Sequence, residues 1–290
     1  FRTGIMTLEK KRKEDFETTI SALREYYDGY LFSDEGSRLY NPFSVLNALD
    51  LKRIDPYWFG TGTPTFLARR VRKRGTFPPD INGQMCAREE LISVGLNDRN
   101  PIPLMFQTGY LTIAHYYEDM NLYELRFPNK EVEIGFYKQL LPTYVPDVGD
   151  PFSPFSFPLF KLDLFNGRPH EFMERLRSLF KDLPGEDHKE STYRAVTYLL
   201  AVLCGSQSIA EHHSYKGRSD IEVFAGSNIY IFEFKYNKSV QNAMSQIYDR
   251  DYLGRFAMDS RQLWLIAANF NSDQRNLEYE IDRPNTQKSI

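Results

Sequence analysis

Apolar residues recur at helical intervals through the first quarter of the chain. Leu8, Phe16, Ile20, Leu23 and Tyr27 fall roughly on one face, which predicts a helix over 8–27 with Lys10, Lys11, Arg12 and Lys13 on its solvated side. A turn at Gly29 follows. Asn41-Pro42-Phe43 reads as a second helix start, with Asn41 as N-cap and Pro42 at the first helical position. Thr63-Pro64 repeats that signal for a helix running to about Arg74. Its basic end, Arg69 to Arg74, suits a helix C-terminus. That run reads first as a solvated face, with a phosphate-contacting patch as the alternative. From 101 to 127 the pattern changes to alternation. Leu111, Ile113 and His115 share one predicted strand face, and residues 122–126 form a partner strand. Helices followed by a two-strand ribbon suggest a winged-helix-like unit. A short helix is predicted from Glu131 to Leu141.

Residues 142–158, PTYVPDVGDPFSPFSFP, combine prolines with phenylalanines and read as a linker that packs on a surface. The expected organisation is a mainly helical module at 1–141, the linker at 142–158 and an α/β domain at 159–290. In the last part, 168–182 is an amphipathic helix with Phe172, Leu176, Leu179 and Phe180 inward. A more apolar helix spans 189–204 and stops at Gly205. Strands are predicted near 206–213, 218–224 and 229–235, then a helix over 239–256 and a strand over 261–269. Helix, three strands, helix, strand describes a mixed sheet with a crossover helix. The fold class is α/β, α+β over the whole chain.

Composition narrows the function classes. The 290 residues are 41% hydrophobic and 26% charged with a net charge of -3, as expected of a globular chain. Lys+Arg and Asp+Glu both number 19 in residues 1–141, and they are 17 and 20 in the remainder. A bulk basic coat for nucleic acid is therefore excluded, while a local basic groove is not. Cys86 and Cys204 lie in unrelated contexts, which excludes a disulfide framework and a CxxC metal site. No run of about 18 apolar residues is present, so no transmembrane helix is expected. With no leader pattern either, the expected location is the cytoplasm. The chain begins at Phe1 and is expected to be a piece of a longer protein.

The chemistry concentrates in 217–235, GRSDIEVFAGSNIYIFEFK. A hairpin turn at Gly226-Ser227 puts Ala225 opposite Asn228 and, counting outward, Asp220 opposite Glu233. Opposed Cβ atoms lie about 5 Å apart, so the two carboxylates repel unless something positive sits between them. A divalent cation is the evident candidate. Lys235 follows Glu233 on the same face, about 7 Å along the strand, and brings an ammonium beside that position. Glu222 would share the Asp220 face and oppose Ile231. A bulge, a solvent-open edge or a third acidic role would each account for it. Elsewhere, His212 and His213 are adjacent and point to opposite faces of a strand, so they are read as polar strand residues rather than a shared site. His115, His170 and His188 are read as surface or core-edge residues. The aromatics of 26–32 and 57–59 are read as core, with base stacking as the alternative.

The spacing Asp220, twelve residues, Glu233, one residue, Lys235 resembles the PD-(D/E)XK nuclease superfamily, with its restriction-endonuclease-like fold. More narrowly, GRSD, IYIFEFK and Gln246-Ile247 look like the nuclease domain that ends bacterial AAA-ATPase-like proteins of Bacteroides-type genomes. YYDGYLF, YNPFSVLNAL, YWFGTGTPTFL, FQTGYLTI and RFPNKEV resemble the region just after the ATPase core of those proteins. The resemblance implies that Asp220, Glu233 and the Phe234 backbone carbonyl ligate Mg²⁺ or Mn²⁺, and that Lys235 orients or activates the attacking water. It implies that Glu190 supports the metal site, that Glu211 is the acidic residue before the GRSD turn, and that Gln246 packs near the lysine. Arg218 would contact phosphate beside Asp220 or pair with Glu211. Together these imply a metal-dependent nuclease whose partner is nucleic acid, DNA in the first place, with no membrane partner. A catalytically silent nucleic-acid-binding or regulatory module is the alternative. No GxxxxGK[ST] stretch is present, so the ATPase core is expected upstream of Phe1.

Overall fold

The computed structural model describes residues 2–58, 65–92, 100–146, 148, 153, 155–181, 183, 188–210, 213–214, 217–249, 252–272 and 276–284, with the main chain alone at 213–214, 217–218 and 252–253. The chain divides into two compact units, Phe1–Leu140 and Leu141–Ile290.

The first unit opens with two helices where the apolar pattern predicts one. These are α1 (Arg2–Arg12) and α2 (Phe16–Tyr27). Lys13 turns left-handed at φ 57 and breaks the run. Asp15 then caps α2, its carboxylate accepting the Thr18 amide at 2.7 Å. Asn41 caps α3 (Pro42–Leu51) as its sequence position demands, with its side chain accepting from the amides of Phe43 and Ser44. The Thr63-Pro64 start signal lies outside the described residues; the helix it announces is α4 (Thr65–Arg74). There follow β1 (Gln84–Ala87), α5 (Arg88–Ile92), α6 (Ile102–Gln107), β2 (Thr112–Tyr117), β3 (Leu122–Arg126) and α7 (Lys130–Tyr144).

The ribbon predicted for this unit is a three-stranded antiparallel sheet, β1-β3-β2, since β1 adds to the far edge of β3. Ile113 and His115 do not share a face. The register slips between them, so that Ile113 opposes Leu125 and His115 opposes Glu124. Ile113 is buried as a result, and His115 is exposed.

Two features hold this unit together. Glu131 on α7 is fully buried, and its Oε1 accepts from Ser44 Oγ at 2.9 Å and from the amides of Tyr57 and Trp58 at 2.6 and 3.0 Å. Burial raises the pKa of this carboxyl. Gly29 has φ +118, and a Cβ there would meet the Pro128 carbonyl oxygen at 2.0 Å. Gly29→Ala therefore combines left-handed strain with a backbone clash. It is expected to lower the unfolding free energy by about 3 kcal/mol, as measured by urea titration.

The second unit begins with α8 (Phe157–Phe165), whose N-terminal residues fall where the Pro/Phe-rich pattern reads as linker. α9 (Pro169–Lys181) buries Phe172, Leu176, Leu179 and Phe180 as expected. α10 (Glu190–Leu203) is followed by β4 (Gln207–Ala210), the short pair β5 (His213–Ser214) and β6 (Gly217–Arg218), then β7 (Ile221–Ala225) and β8 (Asn228–Tyr236). α11 (Val240–Asp249) and α12 (Tyr252–Arg255) lead to β9 (Gln262–Asn271) and to an edge strand the pattern missed, β10 (Asn276–Asp282).

The mixed sheet runs β10-β9-β8-β7-β4, with β8 and β9 parallel and the other pairs antiparallel. A parallel pair needs a crossover, and the segment carrying α11 and α12 supplies it. β8 is central, with every residue from Asn228 to Phe234 buried. Ile229 and Ile231 pack with Ala243, Met244 and Ile247 of α11 and with Leu263 and Leu265 of β9. On the other face Phe232 meets Phe172 of α9, and the Tyr230 hydroxyl donates to the Leu164 carbonyl at 2.6 Å. This two-sided burial explains the unbroken apolar run along the strand.

Candidate active site

Charged residues sit where β8 emerges from the core. The β7–β8 ladder pairs Ala225 with Asn228 across Gly226-Ser227 and ends at Ile221 opposite Phe232. Asp220, one residue before, therefore lies level with Glu233. Its side chain does not splay away from β8. Asp220 Oδ2 accepts the Phe234 amide at 2.8 Å, in the position a further ladder carbonyl would take. Amide and carbonyl of one strand residue point to the same side, so the Phe234 carbonyl also faces the Asp220 side of β8.

Glu233 is 1% exposed. Its Oε1 accepts from Lys235 Nζ at 2.8 Å, and also from Gln246 Nε2 of α11. Gln246 reaches it because α11 lies over the face of β8 that carries Ile229, Ile231 and Glu233. Four of the residues expected at the site, Asp220, Glu233, Lys235 and Gln246, are thus joined through one strand end. Glu190 begins α10. It makes no hydrogen bond or ion pair with them among the described residues.

The structure adds a residue that the sequence pattern did not reveal. Arg194 on α10 brings Nε to 3.6 Å from Asp220 Oδ1, with its side chain only 16% exposed. It stands one helical turn after Glu190, on the same side of α10. That i, i+4 relation is the only trace of it in the sequence. The positive charge that the opposed carboxylates require is therefore supplied within the chain, Lys235 against Glu233 and Arg194 against Asp220.

Glu222 has a separate role. It is buried beside Ile231, and both its oxygens accept from Arg255 Nη1, at 2.8 and 2.7 Å. Ser219, fully buried, donates to Oε1 at 3.0 Å. This explains a polar residue before Asp220 and removes the need for a bulge or an open edge. Arg255 comes from α12, so the network ties the entry of β7 to the crossover segment.

Other expected residues fare differently. Glu211 and His212 lie outside the described residues. Arg218 is described by its main chain alone, paired in register with His213. His188 is not at the core edge. It is buried, stacks on Phe270 with centroids 4.7 Å apart, and its Nδ1 lies 2.6 Å from the Tyr193 hydroxyl. Burial raises the pKa of Tyr193. This packing fixes the start of α10 and with it the turn carrying Glu190 and Arg194. Both cysteines are buried free thiols. Burial, the largest cause, pushes the pKa of each up to about 12.

The donor set suits a hard divalent cation. Among the described residues no group of three or more His, Cys, Asp or Glu side chains could hold a metal ion. Two carboxylates, Asp220 and Glu233, and the Phe234 carbonyl offer oxygen only. Oxygen donors are what a hard divalent cation prefers, whereas zinc sites are usually built with imidazole or thiolate.

Residues 188–280 match the family model of the PD-(D/E)XK nuclease superfamily. This stretch is a PD-(D/E)XK nuclease superfamily domain. It runs from the approach to α10 into β10 and includes every residue of the candidate site. Nucleases of this superfamily generally use divalent metal ions, in keeping with the oxygen donors of the β8 end. Over a longer span, 266 residues are 29% identical to an uncharacterized protein encoded in the vnfD 5′ region of Azotobacter chroococcum mcd 1. The match takes in 88% of this chain and 51% of that protein, so the chain spans about half the length of the curated relative it matches. No solved structure matches the chain. No helix among the described residues is long and apolar enough to cross a membrane.

Proposed function

We propose that the PD-(D/E)XK domain hydrolyses phosphodiester bonds of DNA with the help of Mg²⁺ or Mn²⁺. The observation that carries this reading is the seating of the Asp220 carboxylate on the Phe234 amide, beside a Glu233 held by Lys235 and Gln246. Asp220, Glu233 and the Phe234 carbonyl would hold the cation. When bound, it polarises a phosphoryl oxygen and makes water a better nucleophile at neutral pH.

The chain's own residues do the rest. Lys235, placed by its bond to Glu233, orients the attacking water and offsets the charge that grows on the phosphate oxygens. Gln246 fixes the Glu233 side chain through its amide donor. Arg194 holds Asp220 against the strand end and brings a second cation to the phosphate. Glu190 stands on the same side of α10 as Arg194 and would add an acidic side chain to this corner without a direct bond to the other residues. The family likeness extends this reading to a longer polypeptide, with an AAA-type ATPase upstream. The double length of the Azotobacter protein leaves room for such a domain.

The test is cleavage of single-stranded DNA, duplex DNA and RNA by the chain, with Mg²⁺, Mn²⁺ or EDTA. Asp220→Asn is the control, because an amide oxygen still accepts from Phe234 while the charge is lost. Cleavage is expected with either ion. It should stop in EDTA and fall at least about 10²-fold in folded Asp220→Asn protein. A folded wild type that leaves all three substrates intact would reject the reading.

A second reading, a silent nucleic-acid-binding or regulatory module, draws on a different aspect of the site. Each carboxylate already has a cation of the chain beside it. That reading predicts binding of nucleic acid without cleavage under every metal condition.

A further inference from the structure

The first unit carries a charge concentration that the nuclease site does not use. α4 holds Arg69, Arg70, Arg72, Lys73 and Arg74 within ten residues and contains no Asp or Glu. Acidic and basic residues balance over residues 1–141, so this excess is local. Leu67, Ala68 and Val71 are buried and set the inward side of the helix. At about 100° per residue, two outward rows result, Phe66–Arg70–Arg74 and Arg69–Lys73. Arg69, Lys73 and Arg74 are exposed.

Compensation of the helix dipole accounts for cations in the last turn only. It leaves Arg69 and Arg70 unexplained, and also Phe66, which is 46% exposed at the head of one row. The Arg70 guanidinium lies over that ring, 5.3 Å from its centroid. An exposed aromatic ring flanked by cations is the arrangement that takes a single nucleic-acid strand. The charges meet phosphates, and the ring and guanidinium offer stacking planes to bases of any sequence. Duplex DNA, with its bases already stacked, has no use for the ring.

We propose that this face of α4 is a binding surface for single-stranded nucleic acid, with Arg69, Lys73 and Arg74 on phosphates and Phe66 stacked on a base beside Arg70. The proposal deepens the reading above and rests on it for the substrate class alone.

The test is fluorescence anisotropy of the whole chain in EDTA, where no cleavage intervenes. The probes are a labelled oligothymidylate of about 20 nucleotides, longer than common single-strand site sizes, and its duplex with oligoadenylate. Phe66→Ala should weaken single-strand binding roughly tenfold and duplex binding less than about twofold. Arg69→Gln/Lys73→Gln should weaken single-strand binding at least about tenfold. It should also flatten the salt dependence by about 1.4 in log–log slope, near 0.7 for each cation removed. All positions changed are exposed, and unchanged thermal unfolding midpoints verify the fold.

Unaltered affinity in both variants overturns the proposal. So does a general polyanion surface, in which Phe66→Ala has no effect while the double variant loses oligothymidylate, duplex and heparin alike. The nuclease reading fails separately. A wild type that binds through α4 and never cleaves with Mg²⁺ or Mn²⁺ leaves this inference standing, whereas one that cleaves while both variants bind normally removes it.

Discussion

Lys235→Met is expected to reduce cleavage by at least about 10²–10³-fold, the range found when one donor is removed from a charge-stabilising site. The Lys235 side chain is 12% exposed and its ammonium lies 2.8 Å from Glu233 Oε1, so water cannot readily replace it. The substitution has a second consequence that needs its own measurement. Glu233 is almost fully buried, and without Lys235 it loses its charged partner on Oε1 and keeps the Gln246 amide there. Breaking a buried pair costs about 3–5 kcal/mol; with one partner in some contact with water, the lower end is expected here, read by urea unfolding. Mg²⁺ should recover part of that loss, because a ligand bound only by the folded state stabilises it. The variant should therefore show a larger Mg²⁺-induced rise in unfolding midpoint than the wild type. Lys235→Arg separates the two effects. It keeps the charge and most of the stability, but a planar guanidinium cannot reproduce a point charge at one water, so cleavage stays low. Full activity in folded Lys235→Met protein would remove Lys235 from the mechanism.

The second large effect is expected away from the reaction itself. Among the described residues, Arg255→Met leaves the 1% exposed carboxylate of Glu222 with Ser219 alone. An uncompensated buried charge of this kind costs about 3 kcal/mol, allowing for the 36% exposure of the arginine side chain. Glu222→Gln placed on top of Arg255→Met should return most of it, since the charge is then gone and Ser219 keeps an acceptor. A double-mutant cycle by urea unfolding gives the coupling. Additive losses would show that the two side chains do not act as a pair.

These two networks also mark how far the sequence could be read. The β7–β8 hairpin was legible because everything that fixes it is local: Gly226 at the turn, strand alternation on both sides, and a count that carries Asp220 to Glu233. Lys235 followed from period-2 geometry on the same strand. Gln246 came through family likeness alone. Glu222 stayed unexplained because its partner, Arg255, stands 33 residues away on another element. Arg194 was missed for the same reason, since contact across 26 residues leaves no spacing to recognise. Some local features were also hidden. Lys13 adopts a left-handed turn without being glycine, so the apolar face ran unbroken through a real break between α1 and α2. The bulge between Ile113 and His115 reversed the expected side of a histidine. The start of α8 reads as linker because prolines and phenylalanines cluster there, although Pro158 falls in the first turn, where a missing amide does no harm.

The parallel pairing of β8 with β9 bears on how the protein is made. β8 leaves the ribosome well before its neighbour, since the crossover segment is translated between them. Until residues 262–271 follow, β8 is an edge strand with isoleucine on one face and tyrosine and phenylalanine on the other, a surface prone to wrong pairing. Truncation within the crossover would leave the strand that bears Glu233 and Lys235 without Leu263, Leu265 and Ala267 beside it. Such a product is expected to aggregate rather than to act as a small free-standing nuclease, and the site is completed only once β9 has been translated.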